Sequence, residues 1–246
     1  MDYEYRLVDR KTAIYGAKRL AVDSIWKMAN IELATGITFP ETQVIFDGAM
    51  PKNTDIQSIV VVNNLKRAWK FLVENVDYPI DIQLVREYNK IIGTDDLYPD
   101  PGKIRTMSVK ISGTKYVPDV PLYEDVREKL DIANQIENPI EKGLYLFDHI
   151  TREQWFNNGN KRTANMVANH VFLQNNAAVL AIPDYEKENF LDKLVGYYES
   201  NDPTELNDYL YNTSVEMLPS GLTMPKLKEN ELSYKRRLAA RRGLER

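Results

Sequence analysis

Apolar residues recur three and four positions apart along most of this chain, a spacing that buries one face of a helix and leaves little room for sheet. Ile14, Ala17, Leu20, Ala21, Ile25 and Met28 form one such stripe. Ile56, Ile59, Val60, Asn63 and Ala68 form another within residues 55–75, and residues 80–92 read as a helix ended by Gly93. Thr38 is placed to cap a short helix with Pro40 early in its first turn and Glu41 three residues on, running to Phe46 and stopping at Asp47-Gly48. Further helices are predicted over 122–136, over 139–156, from just after Asn160 to about Leu173, and over 203–217 behind the cap pair Asp202-Pro203. One segment breaks the rule. Val109 to Val117 alternates around Ser112-Gly113, which predicts a short β-hairpin and the only strand pair. The expected fold is therefore all-α, a helical bundle with one short hairpin.

Composition narrows the chemistry. A chain of 246 residues, 43% hydrophobic and 28% charged, buries a core without covalent staples. With no cysteine, disulfides, thiolate metal sites and cysteine nucleophiles are excluded, and a reducing cytoplasm fits. The start, Met1-Asp2-Tyr3-Glu4-Tyr5-Arg6, is charged and lacks an apolar signal region. Ile59-Val60-Val61-Val62 falls far short of a membrane span, so a cytoplasmic location with no membrane contact is expected. The net charge of −4 is uneven: residues 226–246 hold eight Lys/Arg against three Glu, leaving the rest of the chain at −9. This tail reads as a solvated terminal helix from Glu231 to Arg242. No helix-turn-helix or aromatic-basic surface supports nucleic acid binding.

The informative stretch is 144–173. A stripe of Leu144, Phe147 and Ile150 leads into Gln154-Trp155-Phe156-Asn157-Asn158-Gly159-Asn160-Lys161-Arg162-Thr163-Ala164, and a second stripe, Val167, His170 and Val171, follows. A helix start offers unpaired N–H groups and partial positive charge, glycine lets a ligand approach, and Lys161 and Arg162 add full charges. That makes a phosphate cradle; a plain helix–helix turn with a solvated first turn is the alternative the spacing leaves open.

Gln154–Ala164 resembles the active-site signature of the Fic/Doc (Fido) family, His-Pro-Phe-x-(Asp/Glu)-Gly-Asn-Gly-Arg-x-x-Arg, through Phe156, Gly159, Asn160 and Arg162. Lys161 followed by Arg-Thr-Ala is similar to the Doc branch. Pro101-Gly102-Lys103-Ile104-Arg105 with the following hairpin resembles the family's flap, and Ile31–Thr38 with Ile45–Gly48 resembles an N-terminal segment of larger members. The resemblance implies a Fic-type bundle divided into a helical extension (1–55), a core (56–218) with flap 107–118 and active-site loop 154–165, and a basic tail (219–246). It implies ATP or another nucleotide with Mg2+, phosphates held by Gly159, Asn160, Lys161 and Arg162, and a target segment paired to the flap at Val109, Ile111, Ser112, Gly113 and Tyr116. Lys110, Ser112 and Lys115 keep that edge polar.

The departures carry equal weight. The position of the family's histidine holds Gln154, that of its acidic metal ligand holds Asn158, and that of its second arginine holds Asn165. An amide is no general base near neutral pH, and Asn158 would hold Mg2+ only weakly. His149 lies roughly 7.5 Å back along a helix; Asp148 and Glu153 are nearer acids, and His170 reads as core. Of the inhibitory motif many members carry, only Glu32 within Met28–Leu33 matches, and its expected partner is the uncharged Asn165. The resemblance thus implies a protein adenylyltransferase of weak or lost activity, a catalytically silent regulatory or binding module, or a Doc-like toxin. A protein substrate or regulatory partner is expected in each case, and a homo-oligomer is left open.

Overall fold

The structure, a computed structural model, describes residues 3–31 and 36–244, with side chains to residue 241; Glu32 lies outside the described residues. Ten helices dominate them: α1 (Arg10–Asn30), α2 (Phe39–Phe46), α3 (Ile56–Glu74), α4 (Ile82–Ile92), α5 (Tyr123–Gln135), α6 (Pro139–Glu153), α7 (Asn160–Gln174), α8 (Lys187–Ser200), α9 (Thr204–Thr213) and α10 (Met224–Leu244). None is long and apolar enough to cross a membrane.

Short polar side chains begin the early helices. Asp9, Asp55 and Asp81 each accept the N–H three residues on. Thr38 and Glu41 close the predicted capping box, with Thr38 N–H donating to the Glu41 carboxylate at 2.9 Å. Asn138 caps α6, with Pro139 in the first turn.

α6 and α7 pack against each other at the centre of the molecule. Gly143 lets them meet, because a Cβ there would overlap the Phe172 ring. Leu144, Phe147, Ile150, Val167, Val171 and Phe172 are all buried at this contact or beside it, and each such side chain contributes about 1.5–3 kcal/mol. α1 joins the same core, tied to α3 by Trp69 Nε1 donating to Ala17 O at 3.1 Å.

Three expectations fail here. Residues 109–117 form no strand ladder. The segment keeps its turn at Ser112-Gly113, with Gly113 at φ +85°, and its alternation survives as half-buried 109, 111, 114 and 116 against exposed neighbours. Alternation specified a face without specifying a partner. The strands lie elsewhere, in an antiparallel sheet of order β1 (Ala178–Leu180), β2 (Val215–Met217), β3 (Leu222–Thr223). In register, Ala178 faces Met217 and Leu180 faces Val215. Consequently the helix predicted over 203–217 stops at Thr213, and its last three residues are β2. Asn169 of α7 extends the ladder with its side chain, donating to Leu180 O at 3.1 Å and accepting Leu180 N–H at 2.8 Å. Last, α6 ends at Glu153 rather than continuing to 156, because Gln154 takes a left-handed conformation at φ +49°.

Candidate functional site

The break between α6 and α7 is fixed from inside. Trp155 and Phe156 are buried and anchor both sides of the turn. The Asn160 side chain then closes it: its Oδ1 accepts Phe156 N–H at 2.9 Å, and its Nδ2 donates to Phe156 O at 2.8 Å and Gln154 Oε1 at 3.0 Å. Gln154 Nε2 donates in turn to Thr151 O at 2.5 Å. Both amide atoms of Gln154 are therefore engaged in holding the loop.

Gly159 stands at the cap position of α7 with φ +72°. A side chain there is barred twice, by the left-handed backbone and by the Tyr98 ring, which a Cβ would strike. Beneath the loop, Asn89 of α4 bridges three segments. Its Nδ2 donates to Asn158 O and Thr163 Oγ1, each at 3.0 Å, and its Oδ1 accepts Gly102 N–H at 2.8 Å. Gly159 has no side chain with which to cap α7, and the first turn of the helix borders the cleft.

What they face is a cleft of about 440 Å³ between the loop, the flap segment and α8, within the usual size range of small-molecule sites. Gln154, Asn158, Gly159, Asn160 and Lys161 of the predicted site line it, together with Ile111 and Ser112 of the flap. Lys110 adds a second ammonium, and Leu191, Leu194, Val195 and Tyr198 of α8 form an apolar wall. The sequence reading missed that wall, although the 191, 194, 195, 198 spacing is helical. Other predicted residues lie elsewhere. Arg162 is 6% exposed and does not line the cleft; nor do Val109, Gly113 and Tyr116. Tyr116 instead lies under Arg152, whose guanidinium carbon is 4.0 Å from the ring centroid. Asn165 is buried, and Asn169 donates to its Oδ1 at 2.7 Å.

A larger groove of about 670 Å³ between α1, α2 and α3 is also basic. Its cations are largely answered from within the protein: Arg67 pairs with Asp95, Lys70 with Glu74, and Lys66 bonds to Phe46 O.

Among the described residues, no substitute base lines the cleft. His149 Nδ1 sits 2.7 Å from Glu153 Oε1, and Trp155 Nε1 donates to Glu153 Oε2 at 2.8 Å. Burial pushes the Glu153 carboxyl up, but these two hydrogen bonds, with the charge interactions of His149 and Lys129, outweigh it and leave the group below its ordinary value. Asp148 is buried towards α9, where Asn207 donates to it at 2.7 Å; desolvation raises its pKa well above the carboxylate range. None of the three lines the cleft.

A Fic/DOC family model matches residues 79–172, which hold the loop, the flap and Asn89. Over that stretch the chain is similar to the Fic/DOC family. No curated protein matches the chain. Solved structures show the same fold. A Fic domain-containing signalling protein from Bacteroides thetaiotaomicron superposes at a TM-score of 0.69 and 17% identity, covering 82% of this chain and 85% of that one. Residues 134–508 of Fic-1 from C. elegans give 0.64 and 16%, covering 82% and 67%. A Fic family protein from Desulfovibrio desulfuricans gives 0.64 and 15%, covering 79% and 62%, so this chain spans less than two thirds of it. The Fic/DOC segment therefore begins just before α4 and ends within α7. The α8 wall, β2 and β3 fall outside it.

His170, within the Fic/DOC segment, is a core residue. Its Nδ1 lies 2.7 Å from the Tyr88 hydroxyl, and burial pushes its pKa down to about 4 against the nearby backbone of Tyr78 and Val76. The folded protein thus refuses a proton that the unfolded chain accepts near pH 6.5. Stability from this group is complete above pH 6.5 and falls by about 1.4 kcal/mol per pH unit towards pH 4, about 3 kcal/mol in all. Asp148 acts in the opposite sense, so the difference between wild type and His170→Phe isolates the effect. In urea unfolding at pH 7 and pH 4.5, the gap between the two proteins should shift in favour of the variant on acidification. A pH-independent gap refutes this assignment.

Proposed function

We propose that the cleft binds the phosphates of ATP or a related nucleotide, and that transfer of AMP to a protein hydroxyl is weak or lost. The observation that carries this reading is the α6–α7 junction. A helix N-terminus that begins at a glycine borders a cleft with Lys161 and Lys110 at its sides, while the residue where the family resemblance implies a histidine is an amide engaged at both ends. The first-turn N–H groups and the two ammonium groups would take the phosphates. The side chain of Asn160 is committed to the loop, so its contribution to an anion comes from its backbone N–H. Leu191, Leu194, Val195 and Tyr198 would face the less polar part of the nucleotide.

AMP transfer joins a hydroxyl oxygen to the α-phosphorus, releases pyrophosphate and requires the hydroxyl proton to leave. Among the described residues, no histidine or carboxylate lines the cleft to take that proton. For the Mg2+ implied by the resemblance, the described residues lining the cleft offer an amide, Asn158, and no carboxylate, so a metal there would be held weakly.

Calorimetry with ATP, with and without magnesium, tests the cradle. Lys161→Ala should weaken binding about tenfold or more, the loss of one charge-assisted contact. Failure of the wild type to bind under either condition overturns the phosphate reading. Incubating lysate proteins with labelled ATP and the wild type should give labelling near background, and robust labelling overturns the silent one.

A further inference from the structure

We infer that Asp148 is held as a neutral acid that donates its proton to the Asn207 side chain, a buried acid–amide pair that latches α9 to α6 and weakens as the pH rises.

Asp148 lies on α6, six residues before Gln154, and is 3% exposed. Asn207 Nδ2 donates to Asp148 Oδ2 at 2.7 Å. Two oxygens of the pair are then left over. Asp148 Oδ1 and Asn207 Oδ1 are both buried, and neither has a hydrogen-bond partner among the described residues. Two acceptors cannot satisfy each other, and a buried acceptor without a donor is costly, most of all when it carries charge. One proton on Asp148 Oδ1 answers both. It neutralises the carboxylate and supplies a donor for Asn207 Oδ1, so that the carboxyl and the amide exchange two hydrogen bonds.

The surroundings act in the same direction. Tyr3, ahead of α1, and Tyr197 of α8 are buried phenols close enough to feel the Asp148 charge; burial first, and that charge after it, push both hydroxyls up. The other carboxylates that reach Tyr3 are Asp208 of α9 and Glu141 of α6, so they add negative charge. On α6 itself, Arg152 is drawn off to Tyr198 O at 3.2 Å and to the Tyr116 ring, and His149 to Glu153. Desolvation therefore holds the Asp148 carboxyl in its protonated form well above the ordinary carboxylate range. The latch bears on the cleft through one further contact, since α9 packs against α8, whose Leu191, Leu194 and Val195 line it.

The sign follows from the raised carboxyl. Its stabilising effect is complete below the unfolded value of about 3.9 and is lost as the pH climbs towards the folded one. Asp148→Asn replaces the acid O–H with an amide N–H, which keeps both hydrogen bonds at every pH. Urea unfolding of the full chain, wild type beside Asp148→Asn, from pH 5 to pH 8 is the test; His170 is common to both and cancels. The unfolding constant of the wild type, divided by that of the variant, should rise about tenfold per pH unit until the folded carboxyl titrates. A ratio that stays constant over this range overturns the inference. Should the variant fail to fold, infrared spectroscopy of wild type carrying isotope-labelled aspartate decides. A protonated carboxyl band is expected at pH 6, where ordinary aspartates are ionised, and its absence overturns the inference.

Discussion

Arg105→Met should destabilise the protein by about 3–5 kcal/mol, the range for removing one partner of a buried charged network. Arg105 is 1% exposed and its guanidinium bonds only to carbonyls. Nε donates to Gln154 O at 2.5 Å and Nη1 to Met107 O at 2.7 Å; Nη2 reaches Glu153 O at 3.1 Å, Pro118 O at 3.4 Å and Asp119 O. Two of these carbonyls belong to the end of α6, where a cation also meets the negative pole of the helix. The others sit at the two ends of the flap. Burial lowers the Arg105 pKa, with Tyr116 and Asp119 acting against it, and the carbonyl oxygens supply the solvation that water would. Methionine matches the stem but leaves those carbonyls without a donor, whose desolvation then goes unanswered. Arg105→Lys keeps the charge without the fork and should recover less than half of the loss. Urea unfolding measures both. The flap's attachment predicts faster proteolysis within 107–118 in the methionine variant at a denaturant concentration where the rest stays folded. A loss below about 1 kcal/mol would show that the ends of the flap are held by something other than this side chain.

That clamp explains what could and could not be read from the chain. Thr38, Pro40 and Glu41 announced α2 because a cap is local: three residues hold the whole signal. The loop was legible for the same reason, since Gln154 to Arg162 carry their own turn, glycine and charges. The flap was legible only in part. Its alternation marked one face, but its two ends are joined through a side chain that precedes it, and nothing in 109–117 reports Arg105. β1 was illegible because all three of its residues are buried, which erases alternation. β2 continued the polarity pattern of α9 and was absorbed into it. The wall of α8 had a readable spacing, but its relation to a loop some 35 residues earlier exists only in three dimensions. Asn89 is the strongest case: a polar residue on a helix, unremarkable in sequence, that ties α4 to the loop and to Gly102.

Gln154→His should raise AMP transfer about 10²-fold over wild type, the lower end of what a positioned base contributes. The backbone permits it. Gln154 sits at φ +49°, and histidine is among the few residues enriched in that left-handed region. The amide now there donates to Thr151 O and accepts from Asn160 Nδ2. An imidazole that donates one N–H to Thr151 O would leave its other nitrogen facing the cleft, provided Asn160 releases it. That competition with Asn160 is why the lower end is expected. Asn158→Asp alone should not raise transfer, because a metal ligand without a base leaves the hydroxyl proton in place; added to Gln154→His it should give more than the product of the single effects, as residues acting as one unit do. The measurement is labelled-ATP transfer to lysate proteins for the wild type, both single variants and the double, beside calorimetric confirmation that each still binds ATP. If Gln154→His binds ATP and transfers no faster than wild type, the missing base is not what silences the site. If wild type already matches it, Gln154 is not silencing anything.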